Sequence, residues 1–116
     1  MVRSVDEVPL PVSSLFGHFF DYLSEAVVMT GQNDQILRVN RSFTEMFGYT
    51  PSEVTGSNID DVVTSEGHLK DEARQFSAAN ASGKSILADT MRRKKNGSLF
   101  PVSVHAIPVV FGCGRK

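Results

Sequence analysis

Cys113 is the chain's one cysteine, so no internal disulfide can form, and a zinc site would need several Cys or His ligands at matched spacing. A reducing, cytoplasmic setting is the expectation. Charge of one sign is also missing: 12 Lys and Arg against 13 Asp and Glu leave a formal net charge of −1, with no broad field to attract nucleic acid or anionic lipid. Long apolar runs are absent too. The longest, such as Ile107 to Phe111, fall far short of the ~20 residues of a spanning helix, and no basic-then-apolar segment opens the chain. A soluble chain is expected, with neither nucleic acid nor membrane as a partner. Catalytic signatures are lacking: there is no Gly-x-Ser-x-Gly, no His-Glu-x-x-His and no Gly-x-x-x-x-Gly-Lys-Ser/Thr loop, so no enzyme is expected. Asp60 and Asp61 are adjacent, and neighbours on a helix do not face each other, so a shared-proton dyad is geometrically poor. A solvated helix start is the expectation for both.

What is present fits one globular domain. The chain has 116 residues, 41% of them hydrophobic and 22% charged, values usual for a folded domain. Residues 1–14 hold Pro9, Pro11, Ser13 and Ser14 and read as a lead-in segment. Leu15, Phe16, Phe19, Phe20 and Leu23 recur at helical spacing and predict an amphipathic flanking helix over 15–25, whose broad apolar stripe must be buried on the domain or on a second copy. Ala26 to Thr30 and Ile36 to Val39, joined through Gly31, Asn33 and Asp34, predict a hairpin. Asn40 can cap a helix placing Phe43, Met46 and Phe47 on one face and closed by Gly48; Thr50 with Pro51, and then Asn58, open two more short helices. Behind Ser65 a longer helix runs to about Ala79, with Leu69, Ala73 and Phe76 at spacings of four and three. Ser85 to Lys95 and Leu99 to Val110 are extended, and Asn96-Gly97 between them marks a two-residue hairpin turn. Val102, Val104 and Ala106 then share one face, and Ser103, His105 and Ile107 the other. Hairpin, short helices, hairpin is an α+β order, with an antiparallel sheet covered on one side.

These residues carry a resemblance. Ala26-Val27-Val28-Met29-Thr30 with Ile36-Leu37-Arg38-Val39-Asn40, then Phe43 to Tyr49, Pro51 to Val54 with Gly56, Arg92 to Ser98 and Phe100 to Val104 together resemble a PAS domain of the bacterial sensory-box type from about Phe20 to Gly112, with the domain itself expected over 26–116. The resemblance implies a sheet of five strands, the last following a turn like Gly112-Cys113-Gly114 and pairing between the first and fourth. The sequence stops at Lys116, so the expectation is a domain cut before that strand, with the gap covered by the N-terminal segment or a partner subunit. It further implies a noncatalytic sensory module joined to an effector domain of histidine kinase or diguanylate cyclase type, acting as a homodimer and open to a small-molecule ligand. Dimer contacts are expected at Leu15, Phe16, Phe19, Phe20, Leu23, His105 and Ile107.

Alternation and resemblance together nominate Ala26, Val28, Thr30, Phe43, Phe47, Leu69, Ala73, Phe76, Thr90, Val102, Val104 and Ala106 as the lining of a pocket between sheet and helices. In so small a domain they are expected to pack solid, with a ligand pocket as the alternative. Arg92 shares a strand face with Thr90 and is nominated to the pocket with it; turned inward it could clamp a carboxylate or phosphate, while an edge arginine reaching water is the competing and favoured expectation. No cofactor is expected. In the light-sensing LOV branch a flavin-reactive cysteine follows Gly-x-Asn, whereas Ile59 follows Gly56-Ser57-Asn58 here, which excludes a LOV-type thiol adduct. Oxygen-sensing relatives ligate haem through a histidine on the long helix. His68 lies near that helix's start, while alignment on Gly83 puts the ligand position about one turn on, near Glu72; a cofactor sensor is thus the alternative reading, with His68 expected at the surface. His18 and His105 have no partner ligands in the sequence, and Cys113 reads as an incidental thiol.

Overall fold

A computed structural model describes residues 2–3, by backbone alone, and residues 18–108. Strand β1 (Val2–Arg3) is followed by helical residues 18–22 (α1), strands β2 (Val27–Thr30) and β3 (Ile36–Val39), and helices α2 (Arg41–Phe47), α3 (Pro51–Val54), α4 (Ile59–Val63) and α5 (His68–Ala81). Strands β4 (Ile86–Arg93) and β5 (Leu99–Ala106) complete the order. The expected α+β architecture is present: β2 and β3 pair antiparallel, as do β4 and β5, in one five-stranded sheet of order β3-β2-β1-β5-β4. β1 lies in the middle, parallel to both neighbours, with Val2 opposite Val27 and His105. The slot between the first and fourth family strands is therefore bridged, over two residues, by the N-terminal segment.

Local chemistry accounts for most boundaries. Between β2 and β3, Asn33 and Asp34 both take φ 58, a conformation their short polar side chains tolerate. Asn40 caps α2 by accepting from the Phe43 N–H, and Gly48 ends it at φ 89 with its N–H on Thr44 O. Pro51 opens α3, where the Glu53 carboxylate accepts the Thr50 N–H at 2.8 Å. The Asn58 side chain accepts from both Asp60 and Asp61 N–H groups at the start of α4. The long helix begins three residues past Ser65, behind Gly67 at φ 124, and reaches Ala81.

The second hairpin turns at the marked place but through three residues. The Lys94 N–H donates to Ser98 O and the Gly97 N–H to Lys94 O, each at 2.9 Å, leaving Lys95, Asn96 and Gly97 as the loop with Gly97 at φ 92. Asn96 stays out of the left-handed region because its Oδ1 accepts the Ser98 N–H at 2.9 Å, so only the glycine takes positive φ. β5 ends at Ala106, short of the expected Val110; residues 109–110 lie outside the described set.

The core lies between the sheet and α2, α3 and α4: Ala26, Val28, Ile36, Val39, Phe43, Phe47, Val54, Ile59 and Val63 are all buried. Phe43 and Phe47, one turn apart on α2, stack at 4.6 Å between centroids, and Phe100 meets Phe47 edge-on at 5.1 Å. Phe43 and Phe47, both fully buried, each contribute roughly 2 to 3 kcal/mol through burial. Met46 departs from expectation: it lies toward solvent at 39% exposure, because the Phe43–Phe47 stack already fills that face of the helix.

A second cluster sits on the opposite sheet face, where Phe20 of α1 covers Val27 and Met29 and lies 5.2 Å beneath the Arg38 guanidinium. That corrects the assignment of Phe20 to a dimer contact. It is 0% exposed within its own chain, since the apolar outer side of β2 needs a cover and Phe20 supplies it. Phe19, Tyr22 and Leu23 are exposed, and residues 23–25 are not helical; Leu15 and Phe16 lie outside the described residues.

Candidate functional site

Along β4 the side chains of Ala88, Thr90 and Arg92 alternate onto the helix side of the sheet, opposite Val104, Val102 and Phe100 of β5. Above them runs α5, presenting Leu69, Glu72, Ala73, Phe76, Ser77 and Asn80, each buried or half-buried, at spacings of three and four. Those two faces contain the nominated pocket. Its centre is packed: Val28, Thr30, Phe43, Phe47, Ala73, Val104 and Ala106 are all buried, as close packing requires. Toward α5, Leu69, Phe76, Thr90 and Val102 are half-buried. An open groove of about 540 Å³ lies elsewhere, between the end of α2 and the β4–β5 turn, lined by Glu45, Met46, Lys94 and Lys95 among others.

Arg92 is the main correction at this site. Expected at the water's edge, it is 3% exposed. It lies inside because Glu72, on the buried stripe of α5, supplies the opposite charge at 3.0 Å. Its amino group Nη1 donates to Glu72 Oε1, to the Met91 carbonyl at 2.8 Å and to Thr90 Oγ1 at 3.4 Å, while the Phe76 ring lies 5.9 Å from the guanidinium carbon. Glu72 Oε1 also accepts the Thr90 hydroxyl at 2.6 Å. Burial pushes the Glu72 pKa up, but the hydrogen bonds from Thr90 and Arg92 and the guanidinium charge outweigh it and hold the carboxyl below its ordinary 4.5. Glu72 is therefore an anion at neutral pH. With Oε1 facing two donors, the arrangement can bind a carboxylate.

The neighbouring contacts fasten α4 and α5 to the sheet. Asp60, expected in solvent, is 3% exposed, and its two oxygens accept from Ser77 Oγ at 3.1 and 2.8 Å. It is buried because α5 crosses directly over the first turn of α4. Asp61 stays exposed and pairs with Lys70 at 3.0 Å and Arg74 at 2.8 Å. Arg93, next along β4, donates to the Thr64 carbonyl at 3.0 Å and the Asp61 carbonyl at 3.4 Å, placing a cation at the C-terminal end of α4 where the helix dipole favours it.

His68 is exposed at the first residue of α5, and His18 and His105 are exposed as well; among the described residues no three His, Cys, Asp or Glu gather to hold a metal. Ile59 lies fully buried in the core. On the outer sheet face His105 points to solvent opposite Leu87, with Ile107 half-buried beyond the strand end. Cys113 lies outside the described residues. Sequence reasoning passed over Glu72 as a site residue, although a carboxylate three residues after Leu69 and four before Phe76 falls on the buried stripe and demands a partner. It also read Asn40 as a cap alone. That amide is 0% exposed and joins four backbone groups: Oδ1 accepts from Val27 N–H at 2.9 Å and Phe43 N–H at 3.0 Å, and Nδ2 donates to Phe20 O at 3.0 Å and Glu25 O at 2.9 Å.

A family model described as PAS domain matches residues 24–116. The chain belongs to the PAS domain family. Among solved structures it is similar to the PAS domain of a protein from Colwellia psychrerythraea, at 16% identity and TM-score 0.75, over 90% of this chain and 87% of that one. A domain of the sensory box sensor histidine kinase/response regulator from Geobacter sulfurreducens matches at 18% identity and TM-score 0.67, over 79% of each chain. The Rhodobacter sphaeroides LOV protein matches at 19% identity and TM-score 0.71, over 90% of this chain and 61% of that one. At these identities the likeness is one of fold. No curated protein sequence matches this PAS domain. Among the described residues no helix is long and apolar enough to cross a membrane.

Proposed function

We propose that this PAS domain is a noncatalytic signal-sensing module of a longer, cytoplasmic signalling protein, relaying its state through a homodimer to a covalently linked effector of histidine kinase or diguanylate cyclase type. Membership of the PAS family, with fold neighbours that include sensor histidine kinase domains, supports a signal-sensing module. The observation that carries the dimer is the uneven cover of the sheet. Its helix side is covered by α2 to α5, whereas the outer side over β4 and β5 leaves Leu87 at 74% and Leu99 at 52% exposed, and Phe19 of α1 at 63% and Leu23 just after it at 46% add to them. Apolar groups left in water on one face are what a second copy would cover. His105, exposed opposite Leu87, belongs to the same face. The reading needs no cofactor: Glu72 at the haem-ligand position is engaged by Thr90 and Arg92, and Ile59 offers no thiol to a flavin.

Light scattering across a concentration series tests the dimer. The parent chain is expected to dimerise, and Phe19→Ser with Leu87→Ser to give a monomer of unchanged circular dichroism. A monomeric parent, or a double variant that dimerises as before, overturns the contact.

A further inference from the structure

Glu72 and Arg92 are unequal partners. The guanidinium is buried at 3% exposure between the Phe76 ring and the strand, whereas the Glu72 side chain keeps 33% exposure at the helix surface. An isolated cation in that position would be costly, so the slot demands an anion. Glu72 can return to water by rotating about its own side-chain bonds; Arg92, held by the Met91 carbonyl, has no such route. Among the described residues every side-chain hydrogen bond of Arg92 leaves from Nη1, so the guanidinium fork is engaged through one corner and its paired donors are not used in the two-point geometry that suits a carboxylate.

We infer that Arg92 and Thr90 form the binding site for a small carboxylate, which Glu72 occupies as a displaceable stand-in. The inference rests on the signal-sensing reading and names the ligand class for it. A ligand carboxylate entering the slot accepts from Thr90 Oγ1 and the Arg92 guanidinium and sends Glu72 out to solvent. The exchange breaks the Glu72 contacts with Thr90 and Arg92 that link the middle of α5 to β4, and so converts occupancy into a change in how the long helix rests on the sheet. Because the stand-in is tethered, it competes at an effective concentration in the millimolar range or above, and wild-type affinity for a simple carboxylate is correspondingly weak.

Acetate is the probe, with chloride at matched ionic strength as the control. Glu72→Ala empties the slot: acetate at about ten times its dissociation constant is expected to raise the melting temperature of this variant by about 5 °C, saturably, and chloride is not. The wild-type chain is expected to bind acetate at least about tenfold more weakly, read by a saturable shift of the Arg92 Nε–H resonance. Thr90→Val in the Glu72→Ala background keeps the arginine and is expected to weaken acetate about tenfold, the loss of one hydrogen bond to a charged group. Three results each overturn the proposal: no acetate effect on Glu72→Ala, an equal effect of chloride, or a wild-type chain that binds acetate as tightly as Glu72→Ala does. Light scattering on the same samples separates the two readings, because an acetate failure with an intact dimer removes the anion site alone.

Discussion

Replacing Asn40 with alanine removes four hydrogen bonds by deleting one side chain, and the structure sets the scale of the loss. The amide is fully buried and its partners come from four segments: the end of α1 through Phe20 O, the following turn through Glu25 O, β2 through the Val27 N–H and α2 through the Phe43 N–H. Loss of the α2 cap alone costs about 1 kcal/mol. Leaving the Val27 donor and the Phe20 and Glu25 acceptors unmet adds about 1 kcal/mol or more for each group that water does not reach. The total is about 3 to 5 kcal/mol, a large share of the roughly 5 to 15 kcal/mol that holds a domain together. In urea, with a slope of about 1.5 kcal/mol per molar, the midpoint is expected to fall by about 2 to 3 M. Asn40→Ser keeps an oxygen for the Phe43 N–H and is expected to recover about 1 kcal/mol. Asn40→Asp keeps both accepted bonds but sets a carboxylate against the Phe20 and Glu25 carbonyls. Its folded pKa is then raised, so its penalty is relieved below that value and grows as the pH rises past the ordinary carboxylate range. A loss under about 1 kcal/mol for Asn40→Ala, or equal midpoints for the serine and alanine variants, would refute the claim that this amide fastens the flanking helix to the core.

Two further outcomes are expected. Phe47→Ala, which opens a cavity between Phe43 and Phe100, should cost about 3 to 5 kcal/mol by calorimetry and Phe47→Leu much less; near-equal melting temperatures would show that the neighbours collapse into the space. Glu72, whose carboxyl lies below 4.5 when folded, stabilises the domain above its unfolded pKa, and that contribution disappears as the pH falls through the lower folded value. Glu72→Gln should therefore flatten the acid limb of a urea-midpoint profile. A residual slope should persist, because the hydrogen bond and ion pair with Lys95 also hold Glu53 below its ordinary value.

Turns and helix ends were legible because each rests on chemistry local to a few residues. Asn40, Gly48, Pro51 and Asn58 act where the sequence places them, since a cap or a positive φ is decided by the adjoining backbone. Strand alternation was legible for the same reason: Val104 and Ala106 are buried while Ser103 and His105 are exposed, as a period of two dictates. Asn96-Gly97 shows the limit of local rules, because it marks the hairpin correctly while a side-chain bond to Ser98 selects the three-residue form.

By itself, then, the sequence determined the order of elements, the faces of the strands and the family to which the chain belongs, all of which follow from spacing and turn chemistry. Tertiary structure decided where charge lies and what is covered. Arg92 is inside because a helix 20 residues away in sequence brings Glu72 to it, Asp60 is buried because α5 crosses over it, and Phe20 is unavailable to a partner because the outer side of β2 needs it first. Each outcome depends on the free energy of burying one group against another that is distant in the chain, a quantity that has no counterpart in local pattern.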